Sequence, residues 1–203
     1  MTSFPASPKV TRGAIVGIDV MNPLASTIMF QYNPDTMRRA ISPNYLAVPE
    51  GRQGAPRLER PPTESITISV EIDAADQLET ASFPATKLGV YPALSALEML
   101  LYPKSSYVIA NEVLAAFGVI EVIPPSAPLT LLVWGPKRVV PVKLTNFSID
   151  EQQYDPQLNP VRAKVDLGMD VLTYKDLGLL HPGGALFMAH QVAKEAMAAL
   201  AGG

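Results

Sequence analysis

Residues 134–177 read WGPKRVVPVKLTNFSIDEQQYDPQLNPVRAKVDLGMDVLTYKDL and carry the clearest pattern in the chain. In the second half of this segment, apolar side chains take alternate positions and charged side chains take most of the positions between them: Val161, Ala163, Val165, Leu167, Met169 and Val171 against Arg162, Lys164, Asp166 and Asp170. Successive side chains of a strand point to opposite faces of a sheet. The alternation therefore predicts one long strand with an apolar face and a charged face.

The preceding strand changes phase. Its apolar residues switch from even to odd positions between Leu144 and Phe147. A strand that keeps one apolar face through such a switch needs one extra residue, so a β-bulge is predicted near Thr145–Asn146. Residues 152–160, QQYDPQLNP, favour a loop because each proline lacks a backbone donor and restricts its predecessor. The segment is thus predicted to be a long antiparallel hairpin with strands at 139–150 and 161–173.

Length and composition limit the class of protein. A chain of 203 residues suits one domain with a real core. A net charge of -3 disfavours a nucleic-acid partner, which normally meets a basic surface. The absence of cysteine excludes disulfides and thiolate chemistry, and no apolar run approaches the roughly 20 residues of a membrane span. The first residues, MTSFPASPKVTR, lack the apolar core of a secretory signal, so assembly in the cytoplasm is expected.

Further elements are predicted along the chain by the same rules. Strands are expected at residues 13–20, 26–32, 36–41, 65–73 and 129–134, with the first three forming a hairpin that opens the sheet. A helix is expected between Pro92 and Pro103, with a leucine stripe that packs on the sheet: Leu94, Leu97, Leu100 and Leu101. Residues 74–90 are expected to be a loop.

Two more helices are predicted. The first, at 105–120, has Ser106 as a candidate cap and groups four apolar residues on one side: Ile109, Val113, Phe117 and Ile120. The second, at 185–201, is rich in alanine, and one face holds Leu186, His190, Ala193, Met197 and Leu200. So short a helix is marginal alone, so it must dock on the domain or on a neighbour.

The segment 42–62 contains five prolines, two glycines and five charged residues. It is too long for a simple connector. Two interpretations stay open: a flexible surface loop, or an arm that becomes ordered only against another subunit. The predicted organisation is a flexible tail at 1–12, one β domain at 13–178 with the 42–62 arm and a 104–130 insertion, and a C-terminal helix at 179–203.

A search for chemistry finds no site. The chain has two histidines and no zinc, phosphate-loop, dinucleotide or nucleophile-elbow motif. His181 is interpreted as a loop residue and His190 as a residue at the packing edge of its helix. Asp155, which precedes a proline, is expected to build a turn rather than to bind a ligand with Tyr154. No catalytic, cofactor or metal residue is predicted, and the protein is not expected to be an enzyme.

Several motifs in combination resemble a known family. They are FQYNPDTMRR at 30–39, LSALEMLLYP at 94–103, YDPQLNPVRAKV at 154–165 and LTYKDL at 172–177. The chain from about residue 13 to 177 resembles the tail-tube-like domain of a baseplate protein of contractile injection systems, which are phage-tail-like particles of bacteria. The resemblance implies a mainly β fold with flanking helices (α+β), namely a β-sandwich or partial barrel with long antiparallel hairpins.

The resemblance also implies a function. Such proteins form a ring, commonly a hexamer, that connects the central spike to the inner tube and initiates tube assembly. The implied partners are copies of the chain, the spike protein, the inner tube protein and other baseplate subunits, with no nucleic acid and no membrane span. The particle is assembled in the cytoplasm, and its release from the cell is left open. Many members carry a lysin motif after this domain, whereas a hinge and a helix follow residue 177 here, so peptidoglycan binding is not expected.

The long hairpin and its loop are the expected subunit interface. Its candidate residues are Val140, Val142, Leu144, Phe147, Ile149, Tyr154, Leu158, Arg162, Lys164, Val165 and Leu167. The C-terminal helix is expected to dock on an adjacent baseplate or spike subunit. Two alternatives stay open: a bulk inner-tube protein of the same machine, and a ligand-binding β-barrel or hydrolase.

Overall fold

The computed structural model describes residues 11–18, 27–46, 55–79, 83–117 and 128–202. In these ranges the strands are β1 Ala14–Ile18, β2 Thr27–Met29, β3 Met37–Tyr45, β4 Leu58–Asp73, β5 Leu129–Val133, β6 Val139–Tyr154 and β7 Pro160–Val171. The helices are α1 Ala75–Glu79, α2 Ala85–Leu88, α3 Tyr91–Glu98, α4 Ser105–Ala116, α5 Tyr174–Leu177 and α6 Pro182–Ala201.

All seven strands belong to one antiparallel sheet with the order β2-β1-β5-β6-β7-β4-β3. The predicted class, mainly β with flanking helices, is confirmed. The sheet is not a closed barrel, and the strands form a single sheet rather than a two-sheet sandwich. The sheet is curled, since the side chain of Gln31, just beyond β2, accepts a hydrogen bond from the backbone N–H of Asp73 at the end of β4. The architecture is therefore an open, partial barrel.

The core lies on one face of this sheet. In β7 the odd-numbered side chains from Ala163 to Val171 are buried and the even-numbered ones between them are not, as the alternation predicts, whereas Val161 is only half-buried. The partner strands present apolar residues at the same level: Ile68 and Phe147 lie opposite Leu167, and Val70 and Ile149 lie opposite Val165. Helix α3 belongs to the same core through Leu94 and Leu97.

The β6–β7 hairpin confirms the predicted bulge. The register shifts between Leu144 and Asn146, so Thr145 is the extra residue and the apolar side chains before and after it share one face. Gly168 lies opposite Asn146, and a Cβ atom at Gly168 would be 3.0 Å from the Cβ of Asn146. A glycine therefore lets the two strands stay close at the irregularity. Both strands extend further toward the loop than predicted, so the loop 152–160 shrinks to residues 155–159. At its other end β7 stops at Val171, two residues before the predicted end, because Thr173 already caps α5.

The prediction for the first strands is partly wrong. Strands β1 and β2 do pair, but β3 pairs with β4 at the opposite margin. Strands β3 and β4 also enter the predicted 42–62 loop. Pro43 and Pro61–Pro62 fall at a register shift, where a strand tolerates residues that lack a backbone donor. The side chain of Asn44 donates to the carbonyl of Pro61 at 2.7 Å and supports this irregular pairing. Residues 47–54 lie outside the described residues, as do 1–10 and 19–26.

Several helical predictions also need correction. Residues 74–90 include α1 and α2, not only loop. Leu100 is buried beyond the end of α3, whereas Leu101 is 42% exposed, since the helix ends at Glu98. Helix α4 begins after Lys104 without a side-chain cap, so Ser106 is not the cap. Its predicted apolar side faces solvent at Ile109, Val113 and Phe117, and Ile120 lies outside the described residues.

Helix α6 begins at Pro182, three residues earlier than predicted. Its first half packs on the domain: Gly183, Gly184 and His190 are buried. The predicted packing face of α6 is not buried in the second half of the helix, because Met197 and Leu200 are exposed. The predicted docking of this helix on a neighbouring subunit is not tested by a single chain, but half of the helix is already bound to its own sheet.

Candidate assembly interface

Unpaired strand edges mark where another chain can add to the sheet. Strand β3 is one margin, and among the described residues it pairs with β4 alone. Toward the other margin, the strands differ in length, so a long strand is only partly covered by its neighbour. Strand β5 pairs with β6 only over Val139–Val142, so within the described residues the rest of β6 to Tyr154 pairs with β7 alone. An exposed edge presents backbone donors and acceptors to any strand that can align with it.

Strand β7 has no such edge along most of its length. It pairs with β6 over Pro160–Val171 and with β4 over Arg162–Asp170. The predicted interface strands are therefore not equivalent. Strand β6 is able to pair with a second chain beyond Val142, whereas β7 is interior and its backbone groups are occupied.

The outer face of β4, β7 and β6 is polar and arranged in rows across the three strands. Lys164 lies opposite Glu71 on one side and Asp150 on the other. Arg162 donates to Glu71 at 2.7 Å, and this bond raises the pKa of the guanidinium. In another row, the hydroxyl of Ser65 donates to Asp170 at 2.7 Å. Opposite charges placed across strands stabilise this face in water.

The tip of the β6–β7 hairpin is organised by Asp155. Its Oδ1 accepts from the backbone N–H groups of Gln157 and Asn159 at 2.8 Å each, and its Oδ2 accepts from the side chain of Asn159 at 2.8 Å. These bonds, led by that of the Asn159 side chain, lower the pKa of Asp155. The carboxylate thus builds the turn, as predicted. The turn holds Leu158 at a φ of 64° with its side chain 73% exposed.

The end of the β3–β4 hairpin also presents apolar side chains to solvent. Ile41, Tyr45 and Leu58 are each more than half exposed. The last described backbone bond of this hairpin joins the N–H of Leu46 to the carbonyl of Arg57 at 2.8 Å. Strands β4 and β7 are antiparallel neighbours, and each lies next to one of the two hairpin ends. The two hairpins therefore point in opposite directions from the domain.

Glu64 forms an ionic cluster beside this hairpin. Its side chain is 11% exposed and bonds to Arg39 on β3 at 2.6 Å and to Lys194 on α6 at 3.3 Å. Burial alone would raise the pKa of Glu64, but the hydrogen bond from Arg39 and the charges of Lys194 and Arg39 lower it. Arg138 also lies close enough to interact with Glu64 and Arg39. The cluster joins the margin of the sheet to the C-terminal helix.

Sequence reasoning missed this cluster, although a signal was present. Glu64 has the same parity as Ile66, Ile68 and Val70, so it occupies the apolar face of β4. A carboxylate at such a position needs a cationic partner.

The predicted interface residues fall into three groups. Val140, Val142, Val165 and Leu167 are buried in the core, so their side chains are not available to a second chain. Leu144, Phe147 and Ile149 are half-buried against that core. The remaining four are at the surface: Tyr154 and Leu158 at the hairpin tip, and Arg162 and Lys164 on the polar face. The prediction that these residues meet another subunit stays a prediction.

The described part of the chain contains no group of three or more histidine, aspartate or glutamate residues arranged to hold a metal ion. No helix in that part is both long enough and apolar enough to cross a membrane.

Comparisons with known proteins give little similarity. No protein-family model matches the chain. No curated protein matches it either. Among solved structures, it is similar to a protein from the tail of an empty GTA (gene transfer agent) particle with C6 symmetry. The two are 14% identical, the match covers 78% of this chain and 90% of that chain, and the TM-score is 0.30. At that identity and TM-score the similarity does not establish a common fold.

Proposed function

We propose that the protein is a structural baseplate component of a contractile injection system. In this role it forms a ring, a hexamer by the resemblance, that connects the central spike to the inner tube and initiates tube assembly. The role is mechanical, with no substrate turnover. Two kinds of observation support it: the motif combination that resembles the baseplate family, and an open sheet whose free edges need a partner.

The free edges carry the proposal. Strands β6, β7, β4 and β3 alternate in direction across the sheet. In a cyclic ring every copy has the same orientation relative to the axis, so β3 of one copy and β6 of the next run antiparallel. Pairing the outer edge of β3 with the free part of β6 would satisfy both edges. It is a heterologous contact, and such contacts form a closed ring when the rotation between copies closes.

In such a ring the two faces of the sheet have different surroundings. The apolar face holds the core of each copy. The polar face, with the rows around Arg162 and Lys164, remains for the lumen of the ring. Wide barrels of this kind leave an open, water-filled channel. Such a lining of mixed charge would suit a tube through which cargo passes.

The hairpin ends supply contacts along the axis. They project in opposite directions, and both carry exposed apolar side chains: Tyr45 and Leu58 at one end, Leu158 at the other. One end would meet the spike or baseplate layer and the other the first ring of the inner tube. Exposed apolar groups at such ends are typical of surfaces that bind other proteins.

Quantitative mass spectrometry of sedimented particles from the native cells tests this function. The copy number of the protein is referenced to that of the sheath. About one ring per particle is expected for a tube initiator. A copy number close to that of the sheath would instead identify a bulk tube protein. Absence from the particles, with abundant free protein in the supernatant, would contradict both structural roles.

A further inference from the structure

Both histidines of the chain hold helix α6. His181 is the N-cap residue, and His190 lies in the half of the helix that packs on the sheet. The two side chains are in different environments, one exposed and one buried. The bond that His181 accepts needs a ring nitrogen without a proton, whereas for His190 it is burial that favours the neutral ring.

His181 caps the helix through a ring nitrogen without a proton. Its Nδ1 accepts a hydrogen bond from the backbone N–H of Gly183 at 3.1 Å. Protonation turns Nδ1 into a donor, so the bond to Gly183 is lost. It also places a positive charge at the N-terminus of the helix, where the helix dipole is already positive.

His190 is buried with one ring nitrogen unused. The residue is 9% exposed, and its Nδ1 has no hydrogen-bond partner among the described residues. Its ring makes a hydrogen bond with the backbone of Lys137, in the turn between β5 and β6. A second proton would therefore sit on a buried Nδ1 that faces no acceptor, and burying an unpaired donor or charge is costly.

The two cations near His190 oppose its protonation further, whereas the carboxylate of Glu64 favours it. Lys194 lies one turn later on α6, Arg138 is in the turn before β6, and Glu64 is on β4. Glu64 is the one carboxylate of this set, and it already bonds to Arg39 of β3 and to Lys194. A protonated His190 would be a further cation beside a carboxylate whose bonds are taken. Burial, followed by the charge of Lys194, lowers the pKa of His190.

We propose that α6 is an acid-sensitive clamp, in which protonation of the buried His190 loosens the helix from the sheet in mildly acidic solution. The direction follows from linkage. The pKa of His190 in the docked helix lies below the ordinary value of 6.5, so docking is favoured by the neutral ring and weakens as the pH falls below 6.5. Release would uncover the face of α6 around Phe187, whose ring packs on Tyr174 with a centroid distance of 6.1 Å.

Hydrogen–deuterium exchange of the full-length protein at pH 7.5 and pH 5.5 tests the clamp, with labelling times scaled for the intrinsic exchange rate. The protection of α6 amides is expected to fall at pH 5.5, by up to about tenfold for His190 alone. Strand β7 is expected to keep its protection. Glu64 stays ionised in this range because its pKa lies below 4.5. Equal protection of α6 at both pH values would overturn the proposal.

A double variant separates the histidines from other acid effects. His181→Asn keeps an N-cap acceptor, and His190→Gln keeps a donor for Lys137, but neither residue titrates. The double variant is expected to show the same α6 protection at both pH values. Retention of the full acid effect would contradict the proposal. If the double variant does not fold, His190→Gln alone is expected to lose the acid effect, and an unchanged effect in that variant would be equally contradictory.

Discussion

The side-chain Oε1 of Gln31 accepts a hydrogen bond from the backbone N–H of Asp73 at 2.9 Å. Gln31 lies just after β2, at one margin of the sheet, and Asp73 ends β4, the strand next to the opposite margin. The bond joins two parts of the sheet that the strand order places far apart. It therefore holds the sheet in its curled form.

Replacing Gln31 with alanine should weaken this closure. The variant removes the acceptor and leaves the N–H of Asp73 without its partner, so the free energy of unfolding is expected to fall by about 1–2 kcal/mol. Thermal and urea unfolding measure the change. Gln157→Ala is the control, because only the backbone N–H of Gln157 takes part in a described hydrogen bond. Equal stability of the Gln31 variant and the wild type would contradict this role.

Charges on the free edge of β3 should prevent assembly without unfolding the chain. Ile41 and Tyr45 are 54% and 57% exposed, so the double change Ile41→Lys, Tyr45→Lys should alter stability by no more than about 0.5 kcal/mol. Lysine on an edge strand opposes pairing with another chain. Incorporation into sedimented particles is expected to be lost.

Leu180→Lys is the matched control for the edge, since Leu180 is fully exposed between α5 and α6. Its incorporation should stay close to that of the wild type. Normal incorporation of the β3 double variant would show that this edge is not used.

Asp155 should stabilise the conformation of the β6–β7 tip, and this stabilisation should depend on pH. Its pKa is lowered below the ordinary 3.8, so its contribution is present above that pH and is lost as the pH falls through the folded value. Asp155→Ala should increase hydrogen exchange of residues 154–160 at pH 7. Asp155→Asn should have a smaller effect, because its oxygen can still accept from Gln157 and Asn159. Equal exchange in both variants and the wild type would disprove this function of the carboxylate.

Loss of the Glu64 carboxylate should lower the free energy of unfolding more than loss of a surface ion pair does. Glu64→Gln leaves Arg39 and Lys194 without their carboxylate, and we expect a loss of about 1–3 kcal/mol, moderated because both cations are partly solvated. The pKa of Glu64 is lowered, so its contribution is present above pH 4.5 and is lost as the pH falls through the folded value. The difference between wild type and variant, measured by urea unfolding, should shrink accordingly.

The control for Glu64 is Glu71→Gln, which breaks the exposed pair with Arg162. Exposed pairs are screened by water, so this variant should be close to the wild type in stability. A larger loss for Glu71→Gln than for Glu64→Gln would contradict the assignment of the buried cluster.

The local sequence pattern predicts the structure correctly where a strand has one buried face and one solvent-facing face. The alternation at 161–171 predicts β7, and the phase switch after Leu144 predicts the bulge at Thr145, because both follow from the period of a strand. The extension of β3 and β4 past Pro43 and Pro61 was not predicted. There the pairing depends on a register shift and on the contact of Asn44 with a distant carbonyl, which sequence spacing does not reveal.

The candidate interface was harder to predict for a related reason. Apolar residues at helical spacing predict a packed face, yet Ile109 of α4 and Phe117, the residue after it, are 63% and 82% exposed in the single chain. Conversely, Val165 and Leu167 are fully buried, although the resemblance placed them at a subunit contact. Which strand edges remain unpaired depends on the order of the strands, and that order comes from long-range pairing rather than local pattern.

Disulfide trapping in assembled particles is the most direct test of a ring closed by β3 and β6. The chain has no cysteine, so introduced pairs report one contact only. Opposite residues on paired antiparallel strands have Cα atoms about 4.5–5.5 Å apart, within the range of a disulfide. Pairs would combine one exposed position on each strand, taken from Arg38, Ala40 and Ser42 on β3 and from Asn146, Ser148 and Asp150 on β6. For at least one pair, oxidation should give a ladder of covalent oligomers that ends at the size of one ring. Monomers alone from every pair, in particles that contain the protein, would contradict the account.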